Sequence, residues 1–309
     1  MKLVKLYARG GPEQLRYEEG PEPVPGLGDA LVRVMATSIT PNELSWTQTY
    51  FNEEGEERIP SIPSHAFSGI VESIPDGTNH VSAGDAVYGL TPLYRDGAAA
   101  EYVAVSASSL ARKPLSIDHV QTAALPLSAL AAMQGLFDHG DLTARKRVLI
   151  LGGTGGVGIF AIQLARWCSA HVIATASGEN MDFVKEQGAH EVVNYETTSI
   201  SDAVDNVDIV FDTVGGHLQD AVWPVIKKDG VLITIAGKYS LDLSLRYGVQ
   251  GKFFLVKPDH IRLNVIASLV DRGVIRPVIK NVYPLQDIRL AFEAGLQKHN
   301  RGKIVLKVG

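Results

Sequence analysis

The stretch Arg147-Val148-Leu149-Ile150-Leu151 runs directly into Gly152-Gly153-Thr154-Gly155-Gly156-Val157-Gly158 and then into Ile159-Phe160-Ala161-Ile162. A short branched apolar run reads as a buried strand, and the helix-forming residues Val157 to Cys168 follow it. Gly153, Gly155 and Gly158 stand at G-x-G-x-x-G spacing between that strand and helix, which is the context that gives the motif meaning. The first glycine allows the turn, the second lets backbone approach a pyrophosphate, and the third lets helix and strand pack closely. Backbone N–H groups at the helix N-terminus, with its partial positive charge, then face phosphate oxygens. We expect a dinucleotide site formed by Gly153, Thr154, Gly155, Gly156, Val157 and Gly158. No G-K-[S/T] follows, so the loop is not that of a P-loop nucleotidase. Val148 to Ala165 carries no charge over 18 residues, but its five glycines make a strand–loop–helix rather than a membrane helix.

Downstream, His171 to Thr175 reads as the next strand and ends in Ala174-Thr175-Ala176-Ser177. An NAD site usually has an acid there, about 20 residues past the glycines, to bind the ribose 2′-hydroxyl. Small neutral residues and a hydroxyl admit a 2′-phosphate instead, so the expected cofactor is NADP(H). Glu179 is the discordant residue, and Lys185 lies well into the next helix.

Further out, strands and helices alternate: Asn180 to Gln187 helical, Glu191 to Asn194 extended, and Val207 to Asp212, Val231 to Ala236 and Lys252 to Val256 as strands. Such alternation specifies a parallel sheet with helices on both faces. Ser116 to His139 is alanine- and leucine-rich, with Pro126 separating two helices. The first third is different. Leu31 to Ala36, Ser68 to Ile74 and Glu101 to Val105 are short strands among Gly/Pro clusters, the pattern of an antiparallel barrel or sandwich. The tail reads as helix Asp259 to Arg272, extended Val278 to Tyr283, helix Leu285 to Lys298 and strand Lys303 to Val308.

The 309 residues fit two domains, and 45% apolar with 20% charged residues is an ordinary globular composition. A net charge of −5 without any Lys/Arg-rich run argues against a nucleic-acid partner. One cysteine, Cys168, excludes an internal disulfide and a Cys₂ or Cys₄ zinc site, and reads as a small buried apolar group. Met1 to Leu6 lacks the apolar core of a signal peptide, from which a soluble, cytoplasmic chain without a membrane partner is expected.

Several stretches together resemble the zinc-free quinone oxidoreductase (zeta-crystallin-like) branch of the medium-chain dehydrogenase/reductase superfamily. They are Gly10-Gly11-Pro12-Glu13, Ile62-Pro63-Ser64-His65-Ala66-Phe67-Ser68-Gly69 and Gly84-Asp85-Ala86-Val87-Tyr88-Gly89. Asp96-Gly97-Ala98-Ala99-Ala100-Glu101-Tyr102, Ala124-Leu125-Pro126-Leu127, the glycine loop and Arg301-Gly302-Lys303-Ile304-Val305 extend the resemblance over nearly the whole chain. It implies an α/β protein: a GroES-like β-barrel catalytic domain from residues 1–117 and 261–309, and a Rossmann doubly wound parallel-sheet domain from 118–260. It further implies that Ser177, Asn180 and Tyr195 surround the 2′-phosphate, although several relatives have lysine in place of Asn180. Thr213-Val214-Gly215 and Ala236-Gly237 are implied to line the cofactor channel, and Phe254-Leu255-Val256 to approach the nicotinamide.

Zinc-dependent members use a cysteine near the position of Thr40, a His-Glu pair and a later cysteine. This chain has His65 followed by Ala66 and no usable cysteine, so no catalytic metal is expected and His65 reads as a packing or hydrogen-bonding residue. The absence of H-E-x-x-H and G-x-S-x-G leaves hydrolases without support. Hydride transfer to a quinone or to the C=C bond of an α,β-unsaturated carbonyl needs no metal, because charge spreads onto a conjugated oxygen. The family's N-P-x-D-x-K-like segment corresponds to Thr40-Pro41-Asn42-Glu43-Leu44-Ser45-Trp46, with Thr40 for the asparagine and Ser45 for the lysine. Thr40 is the candidate to hydrogen-bond substrate oxygen and Tyr50 the candidate proton donor. Trp46, Tyr94 and Tyr247 are weaker candidates, and packing roles compete for Tyr50 and Trp46. A non-catalytic NADPH-binding sensor or structural protein would carry the same cofactor motifs, and an alcohol or aldehyde dehydrogenase is a further alternative. A homodimer is expected, with Leu232, Ile233 and Lys252 to Leu255 in or near edge strands.

Overall fold

The computed structural model describes residues 1–297 and 301–308. The chain divides into two compact units: Met1–Leu130 with Lys257–Gly309, and Ala131–Val256. The sequence reading sets the first boundary at residue 118; in the structure the helix His119–Ala123 goes with the first unit. That helix opens with a capping box, Asp118 accepting from the Gln121 N–H at 2.7 Å. Pro126 is the first residue of the next helix, Pro126–Met133, where its missing N–H costs nothing. A π-helical turn, Gln134–His139, continues it.

Fifteen strands are numbered along the chain: β1 (Lys2–Leu6), β2 (Leu15–Glu19), β3 (Asp29–Ile39), β4 (Ala66–Ser73), β5 (Ala86–Leu90), β6 (Tyr102–Ser106) and β7 (Leu110–Arg112). In the second unit lie β8 (Arg147–Leu151), β9 (His171–Ala176), β10 (Glu191–Asn194), β11 (Val207–Asp212), β12 (Ile226–Thr234) and β13 (Gln250–Phe253). Then β14 (Ile279–Pro284) and β15 (Lys303–Lys307) return to the first unit.

The first unit is organised by β3. Its Asp29–Arg33 half pairs antiparallel with β6, its Ala36–Ile39 end pairs with β15, and β4 runs along its other side. Register shifts between Leu31 and Val32 and between Val34 and Ala36 bend the strand, as bulges do. The sheet continues in the order β14-β15-β3-β4-β5-β7, with β1 and β2 as a separate hairpin. Val32, Val34, Phe67, Val87 and Val105 fill one core, and Leu6, Ile39, Tyr50, Phe292 and Leu306 another. This is a GroES-like unit.

The second unit is a six-stranded parallel sheet in the order β10-β9-β8-β11-β12-β13. Leu149, Ile150 and Val210 are fully buried, as expected for strands covered on both faces. The chain winds outward from β8 in one direction and from β11 in the other. The carboxyl ends of those two neighbours therefore form the switch point at which such sheets bind ligands.

Among the element boundaries that differ from the sequence reading, three concern the second unit's edge and the tail. β12 starts at Ile226 rather than Val231, because Ile226 already pairs with Val207 before the register shifts across Asp229. β13 ends at Phe253, so Leu255 and Val256 lie beyond the ladder; the last bond is Phe254 N–H to Thr234 O at 3.3 Å. The Leu285–Lys298 helix is a 3₁₀ turn, Leu285–Asp287, followed by the helix Ile288–Gly295; Lys298 lies outside the described residues. As for edges, β13 is one, whereas Leu232 and Ile233 sit in a strand flanked on both sides and are fully buried. Those two residues therefore cannot offer an edge.

Candidate active site

The glycine loop leaves β8 at Leu151 and enters the helix Gly156–Trp167. Gly152 has φ +81, a conformation that side chains disfavour, and a Cβ there would lie 2.6 Å from Thr213 Oγ1. Its N–H donates to Thr175 Oγ1 at 3.1 Å, and the Gly153 N–H to Thr175 O at 3.0 Å, so the end of β9 holds the loop. A Cβ on Gly158 would be 2.0 Å from Gly152 O, the closest contact around this loop. The helix start is pressed onto the strand end, and no larger residue fits.

Gly155 behaves differently. It is the helix N-cap and brings no side chain to cap the first turn, and a Cβ there meets only Gly152 O at 3.4 Å. The fold itself therefore leaves room at Gly155. A loop that is backbone-only at that point, with the N–H groups of Gly156, Val157 and Gly158 in the first helical turn, matches what a pyrophosphate needs. Thr154 and Val157 are part-buried in the same loop.

At the end of β9, Ser177 and Asn180 are both buried, and Asn180 Nδ2 donates to Ser177 Oγ at 2.7 Å. Tyr195 is 40% exposed one residue beyond β10, its N–H bonded to Ala176 O. Glu179 is exposed, whereas Glu196 reaches back to accept the Gly178 N–H at 2.9 Å. The strand end thus holds a hydroxyl, an amide, a phenol and one carboxylate.

Past β11, Thr213 Oγ1 donates to Leu151 O at 2.7 Å, tying this loop to the root of the glycine loop. The residue that shapes it is Asp212, which is fully buried. Asp212 Oδ1 accepts the N–H groups of Val214 at 2.9 Å and Gly215 at 2.8 Å. Its Oδ2 accepts from Gln219 Nε2 at 2.8 Å and Thr234 Oγ1 at 2.9 Å. Thr234 Oγ1 in turn accepts the Ala236 N–H at 3.1 Å. Val214, Gly215 and Ala236 consequently stand on one hydrogen-bonded frame. Phe254 is buried against the His139 ring, with centroids 4.4 Å apart, while Leu255 and Val256 are half-buried. Sequence reasoning missed Asp212 and Thr234; the signal was a polar residue closing each of two apolar strands.

In the first unit, Thr40 follows β3 and is part-buried. Its N–H donates to Glu43 Oε2 at 3.0 Å, and its Oγ1 accepts from Lys303 Nζ at 3.4 Å. Lys303 Nζ also donates to Ile39 O at 2.7 Å, and Glu43 Oε1 accepts the Ser64 N–H at 2.5 Å. Burial pushes the Glu43 carboxyl up to about 7, against the opposing pull of those N–H groups and of Lys303. Burial likewise pushes Lys303 down to about 8, with Glu43 opposing. Neither residue stood out from the sequence as chemistry: each reads there as part of a motif.

Tyr50 is 5% exposed in the first-unit core, its hydroxyl donates to Leu44 O, and Arg9 stacks on its ring at 5.1 Å. Its proton is thereby given to a backbone carbonyl inside the core. Burial also raises its pKa. Trp46 and Tyr94 are part-buried, and Tyr247 packs on the second-unit core. His65 is buried, bonded through Nδ1 to Thr91 Oγ1 at 2.7 Å, and burial with the nearby Arg58 charge lowers its pKa to about 3. Among the described residues no group of three or more His, Cys, Asp or Glu is placed to hold a metal ion. Cys168 is half-buried and donates to Leu142 O at 3.7 Å. Among the described residues no helix is long and apolar enough to cross a membrane.

Family models match two parts of the chain: the alcohol dehydrogenase GroES-like domain over residues 26–115, and the zinc-binding dehydrogenase domain over residues 187–306. A probable zinc-binding oxidoreductase, mitochondrial, of Arthroderma benhamiae is 34% identical over 95% of this chain and 93% of its own length. An NADPH-dependent alkenal/one oxidoreductase, chloroplastic, of Arabidopsis thaliana is 30% identical over 89% of this chain and 71% of its own. The solved quinone oxidoreductase of Coxiella burnetii superposes with a TM-score of 0.92 at 28% identity, over 100% of this chain and 99% of that one. The chain belongs to the medium-chain dehydrogenase/reductase superfamily, whose members are nicotinamide-dependent oxidoreductases. Within that superfamily it falls in the quinone oxidoreductase branch.

The expected cytoplasmic location does not stand. The Arthroderma relative is named as mitochondrial, as are vertebrate relatives. The expectation rested on the lack of an apolar signal core, which does not bear on organelle transit sequences because these are amphipathic and arginine-rich.

Proposed function

We propose that the chain reduces quinones or the C=C bond of α,β-unsaturated carbonyls with NADPH, without zinc, as a homodimer. The observation that carries the reading is the helix start at Gly155–Gly158, glycine at three of its four positions and pressed onto the end of β8. The names of the Arabidopsis and Coxiella proteins support the substrate class. Preference for NADPH rests on Ala176 and Ser177, which themselves carry no carboxylate, and on Ser177, Asn180 and Tyr195 as polar partners for a phosphate. Chemistry without zinc is supported by Ala66 beside His65 and by the engagement of His65 with Thr91. Dimerisation is supported by the open edge of β13, where Phe253 is 41% exposed.

When bound, the dihydronicotinamide supplies a hydride to the electrophilic carbon, and the C=C electrons move onto the conjugated oxygen. The residues from Gly153 to Gly158 hold the diphosphate through backbone N–H groups. Thr213, Val214, Ala236, Gly237, Phe254, Leu255 and Val256 border the rest of the cofactor. The Thr40 hydroxyl donates a hydrogen bond to the oxygen as it gains charge, and water supplies the proton that completes the reduction. Stopped-flow loss of NADPH absorbance against a panel of quinones and enones tests the reading. Tight NADPH binding with no turnover across the panel would refute it in favour of a non-catalytic cofactor-binding protein.

A further inference from the structure

The buried Lys303 is not used by the reaction as described so far. Its strand, β15, pairs with β3 so that Ile304 faces Ile39, and the lysine stem runs inward to the point where the chain leaves β3. There Nζ meets Ile39 O at 2.7 Å and Thr40 Oγ1 at 3.4 Å. On its other side Thr40 is held by Glu43, whose carboxylate takes the Thr40 and Ser64 N–H groups. Two buried ionisable side chains thus converge on one threonine, Lys303 at 6% and Glu43 at 1% exposure. Burying such groups is costly, and a backbone carbonyl alone could be satisfied by a neutral donor.

We propose that Lys303 is a positioning residue for the reduction, donating to Thr40 Oγ1 so that the threonine's own O–H is turned outward and polarised toward the substrate oxygen. This rests on the reading of Thr40 as the donor to that oxygen. An ammonium cannot accept a hydrogen bond, so the Thr40 proton cannot point back at Lys303. A hydroxyl that accepts from a cation is also a stronger donor, since bonds in a chain polarise one another. Electrons and atoms balance without Lys303 losing its proton. Hydride adds to carbon, charge reaches the oxygen, Thr40 shares but keeps its proton, and water protonates the product. Glu43 fixes the backbone of Thr40 and does not touch substrate.

The test compares wild type with Lys303→Met, Lys303→Gln, Thr40→Val and the Lys303→Met/Thr40→Val double variant. For each, thermal unfolding, NADPH affinity by calorimetry and single-turnover hydride transfer to an enone are measured. Lys303→Met is expected to slow hydride transfer about 10- to 100-fold, in the range of a lost charge-stabilising donor. NADPH affinity should stay within about two-fold, and the double variant should be no slower than the slower single one. Full-speed transfer in a folded Lys303 variant, or effects that multiply in the double variant, would overturn the proposal. Because the Lys303 variants can fail to fold, the lysine Nζ resonances of ¹⁵N-lysine-labelled wild type and Thr40→Val are compared as well. A buried Nζ signal unmoved by Thr40→Val overturns the proposal without any activity measurement. Wild type inert toward every quinone and enone would sink the functional reading, whereas a normal Thr40→Val rate would overturn this proposal and leave the functional reading standing.

Discussion

Asn180 Nδ2 donates to Ser177 Oγ across 2.7 Å, and both side chains are buried at the end of β9. The contact uses one Ser177 lone pair and leaves its O–H to point elsewhere. A 2′-phosphate at this strand end would meet that hydroxyl, and it would also meet the Glu196 carboxylate sitting on the Gly178 N–H. Removing that charge by Glu196→Gln should tighten NADPH roughly five-fold and leave NADH unchanged, as expected for one partly screened charge. Ala176→Asp should act in the opposite direction, weakening NADPH about ten-fold or more relative to NADH. Calorimetric titration of both cofactors decides; parallel changes for NADPH and NADH would place the phosphate away from this corner.

The glycines at 155 and 158 should fail in different ways. Gly158→Ala drives a Cβ to 2.0 Å from Gly152 O, so the helix must move off the strand and the fold should lose about 2–4 kcal/mol. Gly155→Val finds room in the protein and should unfold within a few degrees of wild type while losing most of its cofactor affinity. Melting curves with and without NADPH separate the two; cofactor-dependent stabilisation retained in Gly155→Val would contradict the phosphate assignment.

Tyr50→Phe should leave hydride transfer and its pH profile unchanged. The substitution deletes the bond to Leu44 O and keeps the ring under Arg9, so a stability loss of about 1 kcal/mol is expected. A pH-dependent fall in turnover would return Tyr50 to catalysis.

Glu43 and Lys303 give stability an unusual pH dependence. Glu43 has its folded pKa raised from 4.5 to about 7, so the folded state holds the extra proton between those values and stability falls as pH rises through that window. Lys303 is lowered from 10.5 to about 8, so the unfolded state holds the extra proton there and stability rises from pH 8 toward 10.5. The pair's contribution is therefore lowest between about pH 7 and 8. Glu43→Gln should flatten the falling arm, which amounts to at most about 3 kcal/mol. Denaturant titrations at pH 5, 7.5 and 9 measure it, and a wild-type-minus-variant difference that grows from pH 5 to 7.5 would contradict the sign.

Light scattering at micromolar concentration should give the mass of two chains. A proline at Phe253 in β13 should then reduce the dimer, by removing an N–H that points away from β12 at the open edge. A monomeric wild type would dismiss the edge as an interface.

Much of the second unit was legible because its signals are local. The glycine spacing lies between strand and helix, and strands such as Val207 to Asp212 match the observed element residue for residue. β1, β2, β5 and β7 went unread because strands of three to five residues carry too short an alternation to stand out. The interior polar groups were harder still. Lys303 and Thr40 are 263 residues apart, and no periodicity or spacing announces their meeting. Tyr50 shows the converse: an aromatic hydroxyl near a candidate segment looks available in the sequence, and the fold gives its proton to Leu44.

Asp212 anchors the loops after β11 and β12 with one carboxylate, Val214 and Gly215 on one oxygen and Thr234 on the other. Those loops are therefore mechanically one part. A displacement of Ala236 pulls on Thr234, and through the shared acid it reaches Val214. An engineer wishing to alter one of these loops must transplant both together, with the acid between them. A transplant of either loop alone would leave a buried carboxylate short of donors.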